Sequence, residues 1–279
     1  MTVNDPRAGF LISSIAWQGL RHCEAISEVR DAGFGGVEIL CKPGHFESDN
    51  PAHVRDVQLA LDEWSDAIVT FHAPFYDTDL SSSDPDSCDC AVQEMMQALE
   101  VASLLRAENV TLHVRSKAEL THWSADNLVA LQRALNQLIH GAAERNMTLA
   151  VENLHPLGFT GQKEDLLRLL EAYPAHLVGA CIDTGHAHLG GNLVELAHAL
   201  APRSFVTHLH DNSALGRDEH LIPGQGTIPW GKLIDVLRTR GFSGRLVLEV
   251  LSAGTLGETL ENLKRAIVET GLCKLVEQR

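Results

Sequence analysis

No apolar run in this chain approaches the roughly 20 residues needed to cross a bilayer as a helix. The first residues, Met-Thr-Val-Asn-Asp-Pro-Arg, lack the basic-then-apolar order of a signal peptide, so no membrane role and a cytoplasmic location are the expectation. Basic side chains are scarce. There are 22 Lys and Arg against 37 Asp and Glu, a formal net charge of −15, which repels polyanions on average and disfavours nucleic acid as a partner. Bound divalent ions would offset part of that charge. The six cysteines, Cys23, Cys41, Cys88, Cys90, Cys181 and Cys273, form no disulfide framework and no C-x-x-C pair. They read as reduced thiols, with Cys88-Asp-Cys90 an ordinary pair at a helix start. Glycine-rich phosphate loops of the G-x-G-x-x-G and G-x-x-x-x-G-K types are missing too, and no linker, low-complexity tract or internal repeat interrupts the chain.

What remains is a chain of 279 residues, 44% hydrophobic and 21% charged, with a balance suited to one globular domain over residues 1–279. Apolar runs of strand length recur at 10–16, 36–40, 67–72, 109–113, 148–153, 177–183, 204–208 and 245–250. Helix-period segments separate them at 21–32, 51–64, 91–106, 124–145, 162–172, 192–201, 230–240 and 257–272, with Ser124 a good N-cap. Strict alternation with near-continuous apolar strands predicts a parallel sheet covered by helices. Eight such units predict the α/β class and a single (β/α)8 TIM barrel, rather than an open doubly wound sheet.

The chemistry collects at one end of those strands. His72, His113, Glu152, Asp183, His208 and Glu249 each stand at or just past the C-terminal end of strands three to eight. In a (β/α)8 barrel these ends converge on the face from which catalytic residues are drawn. Clustering such groups in a cavity is costly unless a cation neutralises them. Imidazole and carboxylate together suit Zn, Mn, Fe or Co. Glu152, Asp183, His208 and Glu249, one from each of four consecutive strands, form the expected ligand core. They leave room on a divalent ion for a hydroxy-ketone, between whose adjacent carbons Glu152 and Glu249 can exchange a proton through a metal-stabilised enediolate.

Around the seventh strand the metal-capable residues are densest: His208, His210 and Asp211 come first, then Asp218 and His220, before Pro223-Gly-Gln-Gly226 turns toward a helix. His210 and Asp211 are expected to orient His208. Glu38, on the second strand, reads as a structural hydrogen-bonding residue. Arg217 and His155 are candidate substrate contacts, and Trp17 and Phe75 candidate pocket walls. His176, His188 and His198 read as structural or surface residues.

Ile182-Asp-Thr-Gly-His186, His208-Leu-His-Asp211, Asp218-Glu-His220, Pro223-Gly-Gln-Gly226 and the two strand-end glutamates resemble the xylose isomerase-like TIM barrel superfamily. The likeness spans essentially the whole chain. It implies, in the isomerase and epimerase branch, one divalent ion (Zn, Mn, Co or Mg) on Glu152, Asp183, His208 and Glu249. The two glutamates would act as acid and base on a small sugar, sugar phosphate or polyol ketone, and His186, His72 and His113 would contact it. In the endonuclease IV branch (AP endonuclease family 2), His72, His113, His186, Asp218 and His220 join the same four residues to hold up to three zinc ions that cleave abasic DNA. Two departures favour the isomerase branch. No cysteine stands between Thr184 and His186, and His208-Leu-His-Asp replaces the Leu-Asn-Asp of the nucleases. An inosose-type dehydratase shares the one-metal site. The resemblance also raises the prospect of a homo-oligomer.

Overall fold

The computed structural model describes residues 6–115, 124–154, 159–252 and 254–277. Eight strands, β1 (Phe10–Ser13), β2 (Gly36–Leu40), β3 (Ile68–His72), β4 (Asn109–Leu112), β5 (Thr148–Glu152), β6 (Val178–Asp183), β7 (Ser204–Leu209) and β8 (Arg245–Leu248), run parallel in sequence order. β1 pairs with β8 to close the barrel. The fold is the single (β/α)8 TIM barrel expected from the alternation. The helices are α1 (His22–Asp31), α2 (Pro51–Glu63), α3 (Pro85–Leu104), α4 (Ala125–Glu144), α5 (Lys163–Glu171), α6 (Thr184–Leu189), α7 (Leu193–Leu200), α8 (Trp230–Thr239) and α9 (Leu256–Glu269). No helix among the described residues is long and apolar enough to span a membrane.

Local chemistry explains where these elements begin and end. Ser124 caps α4 in a reciprocal capping box with Asn127, and Thr255 does the same for α9 with Glu258. α3 begins six residues before the expected Ala91. Asp84 accepts from the Ser87 amide and Pro85 occupies the first turn, where its missing N–H costs nothing. Cys88 and Cys90 therefore lie inside a helix and diverge: Cys88 is buried with its thiol toward the Leu80 carbonyl, and Cys90 is exposed. The short helix α6 was not foreseen. It is nucleated by Asp183, whose Oδ1 accepts the His186 amide at 2.7 Å.

Strand residues alternate between the two surfaces of the barrel wall. The outward set, including Ile12, Val37, Phe71, Leu149, Ile182 and Leu248, belongs to the large core shared with the helices. The inward set begins with a separate apolar layer of Leu11, Ala150, Cys181, Val206 and Val247. Beneath that layer the Arg245 guanidinium, from β8, pairs with Glu108, just before β4, across the floor. Two residues further along the strands the inward side chains become polar: Ser13, Glu38 and Thr70 stand side by side in register, and His72 adjoins Thr111. An apolar plug thus carries an ionisable layer toward the C-terminal mouth.

The β7–α8 connection returns to the barrel through Asp211. Its Oδ1 accepts the amides of Asn212 and Ile228 at 2.9 and 3.1 Å, and its Oδ2 accepts the Gly224 amide and the Trp230 indole at 2.9 and 2.8 Å. Glycine is needed at 226 because a Cβ there would lie 2.3 Å from both the Asn212 carbonyl and Asp211 Oδ1. Replacing Asp211 with Asn removes the charge and turns an N–H toward at least one donor. Hydrogen bonds to charged groups contribute about 1.5–3 kcal/mol each, so Asp211→Asn is expected to destabilise the fold by about 2–3 kcal/mol. Urea unfolding checks this, and an unchanged midpoint would refute the clamp.

Candidate metal and catalytic site

The ionisable layer at the mouth gathers residues from seven strands and their following loops. Glu152 and Asp183 end β5 and β6, His72 ends β3, and His208 is the penultimate residue of β7. His113 and Glu249 follow β4 and β8 by one residue. All six inward-facing strand-end residues expected to share a cavity do so. His208 Nδ1 is the hub: it lies 3.3 Å from Glu152 Oε2, 3.2 Å from Glu249 Oε2 and 3.8 Å from Asp183 Oδ2. Glu152 Oε2 is also 3.3 Å from His72 Nε2 and 3.1 Å from His113 Nε2.

These spacings fit a shared cation. Ligand atoms held about 2.0–2.2 Å from one ion lie roughly 3–3.5 Å apart from their neighbours. Glu152 Oε2, His208 Nδ1 and His113 Nε2 are buried with no hydrogen-bond partner, although charged or polar atoms crowd each of them. Such groups are expensive to leave unmatched, and a divalent ion matches them. Several groups of this set, among them His72 with Glu152 and His208, and Glu152 with Asp183 and His186, bring ligand atoms within 4.8 Å of one another.

Backbone carbonyls fix the tautomers of the outer imidazoles. His72 Nδ1 donates to the Ala73 carbonyl at 2.9 Å, His186 Nδ1 to that of Asn153 at 3.1 Å and His220 Nδ1 to that of Glu249 at 2.9 Å. Each therefore presents an unprotonated Nε2 when neutral, the tautomer a metal requires. His186 Nε2 and His220 Nε2 approach Asp218 Oδ2 at 3.2 and 2.9 Å, so the three residues beyond the core converge as well. His220 takes a left-handed backbone, φ 47°, to reach this point.

Electrostatics in the cavity follow from burial against neighbouring charge. Burial opposes the charge of His208, but Cys181, Glu249, Glu38 and Glu152 outweigh it and hold the imidazole well above its usual range. His186 is raised likewise, against burial, by Asp183, Asp218 and Glu152. His220 rises to about 9, the Asp218 carboxylate overcoming burial. Glu152 lies well below the carboxylate range because His113, His208 and His186 overcome its desolvation. Glu249 moves the other way: burial pushes it up, and His208 and His220 only partly resist.

Two expectations about supporting residues are overturned. His210 and Asp211 do not orient His208. His210 lies against Asp183, with Nε2 3.1 and 3.0 Å from its two oxygens, and Asp211 clamps its own loop. The strand ends at Leu209, so the chain swings His210 over Gly185, where a Cβ would sit 2.0 Å from the ring, and onto His220, stacked at 4.0 Å. The group that holds His208 Nε2 is instead Glu38 of β2, at 3.2 Å. Its one sequence signal was a lone charge inside an apolar strand.

Phe75 does wall the cavity, its ring 5.1 Å from His72 and 4.8 Å from His113. Trp17 is a core residue whose indole N–H is taken by His22 Nδ1 at 3.1 Å. Arg217 is exposed on the loop beside Asp218, and His155 lies outside the described residues. His176 and His198 are exposed, and His188 contacts the Thr227 hydroxyl.

The chain is 26% identical over 275 residues to the uncharacterized protein MJ1311 of Methanocaldococcus jannaschii, covering 93% of this chain and 92% of that one. It is 22% identical over 249 residues to a D-psicose 3-epimerase of Ruminiclostridium cellulolyticum, covering 85% and 81% respectively. Among solved structures, a D-tagatose 3-epimerase-like protein superposes with a TM-score of 0.79 at 24% identity, covering 95% of this chain and 98% of the other. The sequence profile described as xylose isomerase-like TIM barrel matches residues 26–268, and the chain belongs to that family.

Proposed function

We propose that this chain is a divalent-metal-dependent isomerase or epimerase of a small sugar, sugar phosphate or related polyol ketone. The observation that carries the reading is the pair of glutamates that meet at His208 Nδ1, Glu152 at 3.3 Å and Glu249 at 3.2 Å, whose surroundings drive their pKa values apart. Opposed environments assign opposed tasks. The epimerase names carried by several similar proteins support the same class.

An ion of Zn, Mn, Co or Mg held by Glu152, Asp183, His208 and Glu249 would supply Lewis-acid polarisation of the substrate oxygens. Glu152, ionised, takes the proton from the carbon beside the carbonyl, leaving an enediolate. Glu249, whose burial favours the neutral acid, returns a proton from its own side. Delivery to the same carbon from the opposite face gives an epimer, and delivery to the neighbouring carbon gives an isomer. His72, His113 and His186 line the cavity as hydrogen-bonding contacts for substrate hydroxyls, with Arg217 on the exposed loop a further candidate contact. Phe75 shields the His72 and His113 side from water.

One observation favours a second reading. His72 and His113 close on Glu152, and His186 and His220 close on Asp218, so the residues that the endonuclease IV resemblance implies lie close together, which supports a multinuclear phosphodiesterase. Metal count separates the two.

Three outcomes are expected. The metal-loaded protein should incorporate deuterium from heavy water into a ketose, and Glu152→Gln or Glu249→Gln at saturating metal should slow this by about 10²–10⁴-fold; no exchange across a broad ketose panel would sink the isomerase reading. Elemental analysis should give one ion per chain, whereas three ions with cleavage of an abasic duplex that is lost in His72→Ala would establish the nuclease instead. Affinity for the ion should rise with pH. His208, the one imidazole in the ligand core, has a raised pKa in the metal-free fold, so it carries a proton at neutral pH that the ion must displace. Tightening should therefore continue above neutral pH, because the neighbouring carboxylates hold His208 well above the usual imidazole range. Calorimetry in buffers of different ionisation enthalpy measures the released protons, and a flat profile contradicts the assignment.

A further inference from the structure

Glu38 lies outside the ligand core, yet it is among the most completely buried charged groups in the protein, with no exposed surface. It projects into the barrel from the middle of β2, in register with Ser13 on one side and Thr70 on the other. One carboxylate oxygen, Oε2, accepts the Thr70 hydroxyl at 3.3 Å and faces His208 Nε2 at 3.2 Å. The other oxygen, Oε1, has no hydrogen-bond partner. The ionisable groups acting on it are His208, His72 and Glu152, with no lysine or arginine among them.

That arrangement is costly as a structural device. A buried carboxylate forfeits its hydration, and a glutamine could accept the same N–H and contact the same hydroxyl. The negative charge is what a glutamine would lack. It has a use if the imidazole beyond it is tied to positive charge. His72, His186 and His220 are anchored through backbone carbonyls. His208, the hub of the core, is anchored by a full carboxylate, a stronger acceptor.

We propose that Glu38 is a positioning residue for the metal centre: it accepts the Nε2 proton of His208, fixes the tautomer that presents Nδ1 to the ion, and raises the basicity of that ligand. The proposal rests on the metal-site reading above. It makes β2 part of the site, although β2 contributes no ligand, and adds the hydroxyl of Thr70 as the group that holds the carboxylate.

The test uses Co²⁺ titrated into the metal-free full-length protein, followed by its visible absorption. Glu38→Gln is expected to weaken Co²⁺ binding by about 10–100-fold and to shift the absorption bands. The metal-free variant should unfold below the parent, since the protonated His208 loses one of its buried carboxylate partners. Equal Co²⁺ affinity in parent and Glu38→Gln overturns the proposal, as does a metal-free variant that loses stability while keeping its affinity. If Glu38→Gln fails to fold, Thr70→Val decides, because it frees the carboxylate without touching His208: several-fold weaker binding with the fold intact supports the proposal, and unchanged binding overturns it. A parent that takes up no divalent ion rejects the metal-site reading itself, an outcome distinct from a parent and variant that bind alike.

Discussion

The mutual repulsion of buried carboxylates is the constraint on which the rest of this molecule depends. Glu38, Glu152, Asp183 and Glu249 occupy one cavity with almost no solvent contact, and at such separations in a low-dielectric interior like charges cannot coexist unaided. Six imidazoles, His72, His113, His186, His208, His210 and His220, are interleaved among these groups and Asp218. Protonation can neutralise part of the charge in the metal-free state, and a divalent ion can do so without protons. The raised pKa values of His186, His208 and His220 and the split between Glu152 and Glu249 are two expressions of that one requirement.

A barrel is well suited to bear the load. Beneath the carboxylates lies a fully buried apolar layer that includes Leu11, Val206 and Val247, with the partly exposed Arg245–Glu108 pair at the floor below it. Closure also forbids the strands from drifting apart to relieve repulsion, since each is hydrogen-bonded on both edges. The loops complete the cavity by specific devices: Asp183 caps α6 and so delivers His186, and Asp211 gathers four donors to hold the loop that carries Asp218 and His220. Rigid anchoring of this kind keeps ligands and catalytic carboxylates in one geometry, which proton transfer between adjacent carbons demands.

Much of this was legible in the sequence because β-strands report orientation by alternation and reveal their ends by where apolar runs stop. His72, Glu152, Asp183 and His208 could be placed at the mouth on that basis alone, and Ser124 marked a helix start through its capping chemistry. Helix α6 escaped notice because six residues hold too little periodicity to register, and the start of α3 because its first turn is written in Ser and Asp. His210 was misassigned since alternation stops being informative where the strand stops, and there the path of the loop decides. Glu38 could be seen only as a charge in an apolar strand, with nothing to name its partner.

The sequence by itself therefore determined the number of βα units, the parallel barrel and the set of side chains offered to its C-terminal face, because each of these depends on patterns within a few residues. Tertiary structure alone decided which groups meet. Glu38 and His208 are 170 positions apart and on strands that are not neighbours. Only closure of the sheet turns both inward to the same point, and no local periodicity encodes which inward side chains face each other across a closed barrel.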